Sequence, residues 1–267
     1  MSFYAKNFIY NGQSSELYGL ICASTQAVGE ILSSAGSNIA IQEEYVLRRE
    51  TPYFYGVSFP DKLQFDVEFY SEDPIPRQKV SEIERWLFGL SSYKKFEIVQ
   101  EDMEGIYFNC LFVNAIISTI GNLVVGFHAT CVCDAPWAWG KEVTHRKENI
   151  TSTMIVNNTS DNTRYTKPFI TITFNSNYDE VYIENENMNS ANWSTFTSNA
   201  MLFEDVVAGE VIEINTDLRL ITSTRPDIVN RFNGKYMYLL QGINTIHVSN
   251  SISEIVIKYT PARKVGS

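Results

Sequence analysis

The chain has 267 residues, of which 44% are hydrophobic, 13% aromatic and 19% charged, so it holds ample material for packed cores and does not read as wholesale disorder. Its formal net charge of −10 argues against a nucleic-acid-binding surface and against a polybasic membrane patch, since both need clustered Lys and Arg. The charge is uneven: residues 1–140 hold 17 acidic and 9 basic side chains, residues 141–267 hold 14 and 12.

In chain order, the opening "MSFYAKNFIYNG" lacks a charged start followed by an apolar run, so no signal peptide is expected. The four cysteines then read as free thiols in a reducing compartment. Residues 41–56, "IQEEYVLRRETPYFYG", set Glu43 and Glu44 beside Arg48 and Arg49, with Tyr53 among the aromatics. Two readings stand side by side: an exposed strand or hairpin with charges on one face, or an edge that pairs with a copy of itself. Residues 63–70, "LQFDVEFY", alternate apolar and polar with period two and predict a half-buried antiparallel strand.

"DPIPRQKVSEIERWLFGL" carries Asp-Pro and a second proline, Pro76, both helix-start signals. Val80, Ile83, Leu87 and Leu90 recur at helical spacing with Trp86 beside them, and Gly89 or the Ser91-Ser92 pair ends the helix. It is expected to lie across a sheet made by 63–70, 96–101 and a long hairpin. That hairpin spans 106–120 and 123–133 around Gly121-Asn122, a Gly-X loop that suggests a type II′ turn. The most apolar run, 111–127, is interrupted by Asn114, Ser118, Gly121 and Asn122 and does not read as a membrane helix.

"CVCDAPWAWG" (131–140) closes the hairpin. Cys131 and Cys133 share one strand face, His128 points to the other, and Cys22 and Cys110 are distant in sequence. A structural zinc site needs four ligands, so buried thiols are expected and no metal or cofactor. Pro136, Trp137 and Trp139 admit a sugar-stacking platform or a plug at a domain seam; their place just past a strand end, where the sequence changes texture, favours the plug.

Beyond residue 140 the chain turns polar and then supplies short strands at close spacing: 169–174, 180–185, 194–197, 210–214, 218–222, 237–241, 244–249 and 254–259. About eight strands in roughly a hundred residues, with almost no helix, is the pattern of a β-sandwich. The expected fold class is therefore mainly β: an α+β domain over 1–140, with one helix on an antiparallel sheet, then an all-β sandwich over 141–267. Catalysis finds no support. His128, His145 and His247 lie in no known catalytic motif, and Glu101, Asp102 and Glu104 read as a solvated turn.

The order of these features resembles the distal tail proteins of siphophages. The resemblance rests on "FIYNGQSSELYGL", "LRRETPYFYG", "KLQFDVEFY", "IERWLFG", "CVCDAPWAWG", and on "GEVIEINTDLRLI" with "RFNGKYMYLLQGINTIHVSNSISEIVIKY" near the end, and it spans nearly the whole chain. It implies a non-enzymatic structural protein of the virion tail tip, assembled in the host bacterial cytoplasm. It further implies a hexameric ring of copies of the chain, formed by the first domain, and an outer galectin-like sandwich. The implied partners are the tail tube protein, a tail-associated lysin or tail-tip protein and receptor-binding proteins, with DNA passing through the lumen and no membrane. Glu43, Glu44, Arg48, Arg49 and Tyr53 are the expected oligomer contacts. A lectin-like role in recognising the host cell wall is the alternative, with Trp193 as the candidate glycan contact. The His-Asn-Arg strand of a galectin sugar site is not visible, which counts against that alternative.

Overall fold

The computed structural model describes residues 4–24, 40–47, 49–58, 62–162, 164–188 and 195–265. The fold is mainly β, 52% strand and 11% helical with a single α-helix. The chain divides into two compact units, one of residues 1–140 and one of 141–262; from Arg263 it returns to the first unit, where Val265 packs against the core.

The first unit is built on one eight-stranded antiparallel sheet. Its spatial order is Tyr4–Ala5, Leu20–Ser24, Gln64–Ser71, Leu123–Cys133, Phe108–Ile120, Lys94–Ile98, Phe8–Tyr10 and Gln13–Ser14. Tyr4–Ala5 and Phe8–Tyr10 are first and seventh in that order, yet only Lys6 and Asn7 separate them in the chain. So short a link spans on the order of 10 Å, which forces the sheet to roll almost closed. Aromatic side chains fill the roll: Phe8 meets Phe69 at 5.1 Å between ring centroids and Tyr10 meets Phe112 at 4.7 Å.

The helix Arg77–Phe88 covers this core. Pro76 precedes its first turn and Gly89 follows its last, as the sequence signals predict. Val80, Ile83, Trp86 and Leu87 form its buried stripe. Trp86 stacks on Phe8 at 5.6 Å and 5°, and its Nε1 donates to Tyr10 O at 3.0 Å. Helix and rolled sheet therefore share both an apolar and a hydrogen-bonded contact at one side chain.

The second unit pairs two antiparallel sheets around one core. One sheet runs Val143–Ile150, Ile252–Tyr259, Phe169–Thr173, Val211–Asn215, Leu220–Ser223; the other runs Thr153–Asn158, Gly242–Val248, Tyr178–Asn185, Met201–Val206. Alternate residues such as Ile170 and Ile172, Ile212 and Ile214, and Ile255 and Ile257 turn inward and are at most 1% exposed.

Three expectations need correction. Gly121 and Asn122 have φ of 53° and 67°. Positive φ at both central residues makes the hairpin turn type I′ rather than II′. Residues 195–197 form no strand, because Thr197 N donates to the buried carboxylate of Glu184 at 2.8 Å; the strand missed nearby is Met201–Val206. Residues 237–241 likewise form no strand beyond an isolated bridge between Leu239 and Thr166. Asparagine side chains take that segment's backbone groups: Asn185 Nδ2 donates to Tyr238 O at 2.7 Å, Asn158 Nδ2 to Leu240 O at 3.1 Å, and Leu240 N donates to Asn244 Oδ1 at 2.9 Å.

Candidate assembly surface

Two hairpins of the first unit expose apolar side chains that a lone soluble chain would ordinarily bury. The first, Ala40–Glu44 with Tyr53–Ser58, makes a two-stranded sheet of its own. With one neighbour per strand it shields little, so Ile41, Tyr45, Leu47, Phe54 and Tyr55 are 63 to 89% exposed. Exposed apolar groups gathered this closely mark an interaction surface.

The hairpin brings Glu43, Glu44, Arg49 and Tyr53 together. The Arg49 guanidinium lies 3.7 Å from the centroid of the Tyr53 ring, and Tyr55 Oη donates to Glu44 Oε2 at 2.8 Å. A hydrogen bond with Glu43 pushes the Tyr45 hydroxyl above its ordinary pKa, followed by the charge of the same carboxylate. Arg48 and Trp193 lie outside the described residues.

The second hairpin is the long one. Its strand Leu123–Cys133 pairs with Gln64–Ser71 only from Gly126 onward, and Lys94–Ile98 pairs with Phe108–Ile120 only through Phe108 to Cys110. Beyond those limits neither strand has another strand neighbour among the described residues, and every residue from Val113 to Leu123 is exposed. The result is a ribbon projecting on the order of 20 Å from the sheet. Ile116, Ile117, Ile120 and Leu123 are 43 to 71% exposed, and residues 111–125 contain no charged side chain.

This ribbon, here called the arm, lacks the lysines, prolines and inward charges by which soluble proteins blunt a sheet edge. It is held at its base, where Ile75 N donates to Val124 O at 2.8 Å. Gly126 lets the neighbouring strand approach closely: a Cβ there would lie 2.2 Å from Phe69 O.

"CVCDAPWAWG" resolves into two roles. Cys133 pairs across the hairpin with Cys110, and Cys22, Cys110, Cys131 and Cys133 are all free and buried in one core. The roll of the sheet thus brings together cysteines that are distant in sequence. Burial first, then neighbouring thiols, pushes Cys22 and Cys131 well up, which keeps them protonated and poorly nucleophilic. Among the described residues no group of three or more His, Cys, Asp or Glu could hold a metal ion. Trp139 exchanges two backbone hydrogen bonds with Tyr107, both 2.8 Å, and its Nε1 donates to Asp134 Oδ1 at 3.1 Å. Trp137 meets Trp139 edge to face at 5.9 Å just after Pro136, so the aromatic pair is anchored to the end of the hairpin.

The arm and the exposed hairpin are the parts of the site that sequence reasoning read incompletely. The signal available was length: thirteen residues make Phe108–Ile120 far longer than the usual strand of about five or six. No sheet neighbour of that length follows elsewhere in the first domain's sequence to cover it.

A β-roll with a covering helix, a β-sandwich and an exposed apolar arm define a chain built to assemble. The two halves match two family models: residues 3–135 a phage tail protein N-terminal domain, and residues 137–259 a phage tail C-terminal domain. The chain belongs to this family of phage tail proteins and is a structural component of the virion tail. Among solved structures it is similar to the Dit protein (gp 19.1) of phage SPP1, described as a paradigm of the hub adsorption apparatus in phages infecting Gram-positive bacteria. That match covers 97% of this chain and 99% of the other, with TM-score 0.68 at 15% identity, and establishes a shared fold. The baseplate of phage P2, in its activated conformation with calcium, matches at TM-score 0.40 and 11% identity over 87% of this chain and 91% of the other. No curated protein matches the chain.

Proposed function

We propose that this chain is a distal tail adaptor: six copies form a ring at the tail tip that joins the tail tube to the baseplate and receptor-binding apparatus. The observation that carries the reading is the uncharged arm, exposed on both faces, together with a second hairpin that exposes apolar side chains, both on the first unit. An arm without charge suits contact with identical copies, because any charge on it would recur at every subunit. The end-to-end fold likeness to a phage hub protein supports the same role. In this reading residues 1–140 build the ring and the sandwich of 141–267, galectin-like in layout, offers outward docking sites. The acidic excess of the first unit, net −8, would line a lumen that repels passing DNA.

The test is native mass spectrometry of the full chain together with immunogold labelling of tails. Six-chain rings and label confined to the tail tip are expected. Label spread along the tube, or a chain that stays single at every concentration and alongside its tail neighbours, would overturn the proposal.

A further inference from the structure

We propose that neighbouring copies in the ring join head to tail, the Arg49–Tyr53 stack of one copy seating in an acidic groove on the first unit of the next. This rests on the ring reading above and names the contact that closes it.

The groove has a volume of about 420 Å³ and is lined by residues 97–106. Ile98, Met103 and Ile106 give it an apolar floor, and Val99 stands 49% exposed at its side. Glu97 is already held by Lys95 at 2.9 Å. Glu101 and Glu104, also in the lining, have no cation within salt-bridge distance among the described residues. Gln100 Oε1, buried in the wall, has no hydrogen-bond donor. The groove therefore presents free carboxylates above an apolar floor, which suits a cation carried on an aromatic support.

The exposed hairpin has that chemistry. Arg49 is exposed, its guanidinium already oriented by stacking on Tyr53, and it has no carboxylate partner among the described residues. A guanidinium fork can engage a carboxylate through two parallel hydrogen bonds, with less entropy lost because stacking fixes it beforehand. Leu47, 89% exposed, and Tyr45 beside it supply apolar surface for the floor. Within one chain no hydrogen bond or ion pair joins residues 40–58 to 97–106 among those described. Two different, complementary patches are what a head-to-tail contact needs, and such a contact closes into a ring when its rotation fits. Copies that each carry a net charge of −10 also need a cation-to-anion contact to offset their mutual repulsion.

The experiment is a charge swap in the full chain, read by sedimentation and native mass spectrometry. Arg49→Glu alone, and Glu101→Lys with Glu104→Lys, should each raise the concentration needed for assembly by about tenfold or more; all three together should return it to within about threefold of wild type. As a second readout, Arg49→Cys with Glu104→Cys in one chain should give interchain disulfides up to the full ring, since the four native cysteines are buried. Wild-type rings with indifferent charge variants, or three changes no better than either set, would overturn the contact and leave the ring standing. A wild-type chain that forms no ring overturns both.

Discussion

The arm of the first unit and the edge strand Thr153–Asn158 of the second face the same hazard with opposite outcomes. Both lie where a sheet runs out of neighbours and backbone groups are open to any passing strand. In the second unit the facing sheet covers them: Lys147 Nζ donates to Thr153 O, His145 Nε2 lies 3.2 Å from Asn157 O, and Tyr259 Oη donates to the same carbonyl at 2.9 Å while accepting from Thr159 N at 3.1 Å. Among the described residues the arm has no such cover beyond Val113. One edge is blocked by its own unit while a longer, more apolar one is left open, which is the contrast that the proposed assembly through the arm rests on.

Several variants would break or sharpen that contrast. The largest effect is expected in the sandwich's buried ion cluster, where Arg231 Nη2 lies 2.7 Å from the fully buried Glu210 and Arg225 adds a second contact at 3.3 Å. Arg231→Ala strands a buried carboxylate and should cost about 3 to 5 kcal/mol in urea unfolding, disrupting the second unit while leaving the arm's contacts in place. Gly126→Ala should follow at about 3 kcal/mol, because its Cβ would meet Phe69 O and Tyr70 Cα; it would loosen the arm at its root and lower the thermal midpoint. Tyr259→Phe uncovers Asn157 O and Thr159 N and should cost about 1 to 2 kcal/mol, with aggregation on heating as a further readout if the edge needs its guard. Ile117→Lys with Ile120→Lys should move the unfolding midpoint of the isolated chain by less than about 0.5 kcal/mol yet abolish ring formation. Equal assembly by that variant would remove the arm from the interface.

The ion cluster also sets a pH dependence. Burial alone would raise Glu210, but hydrogen bonds from Arg231, Ser223 and Val207 N more than offset it and hold the carboxyl below its usual 4.5. A carboxyl depressed in the folded state contributes stability above its unfolded pKa and loses that contribution as pH falls through the folded value. Urea midpoints should therefore drop below about pH 4.5, and Glu210→Gln should flatten that part of the curve while lowering the plateau.

Local elements were legible in the sequence wherever one periodicity acted alone. The helix could be placed because prolines mark its start and Val80, Ile83 and Leu87 its face; of the two ends the sequence offered, the helix stops at Gly89, which leaves Leu90 outside it. Residues 195–197 and 237–241 misled because Glu184, Asn158 and Asn185, 13 to 82 residues away, take backbone groups there and leave no local trace, while Asn244 caps Leu240 N from four residues on. The arm misled in another way. Apolar residues on both faces normally mean a strand buried between layers, and nothing in 111–125 says that this ribbon leaves its sheet and stands exposed. Of the candidate contacts, the mix of arginine, glutamate and tyrosine in 43–53 pointed to a surface, while the stacking that orients Arg49 needed the hairpin's geometry.

The two-residue link between the first and seventh strands has a consequence for synthesis. Tyr4–Ala5 needs Leu20–Ser24, but Phe8–Tyr10 needs Lys94–Ile98, which emerges from the ribosome some ninety residues later. At roughly 5–20 residues per second the beginning of the chain therefore waits several seconds for its partner. Phe8–Tyr10 is made long before Lys94–Ile98, and until the two pair, the roll stays open.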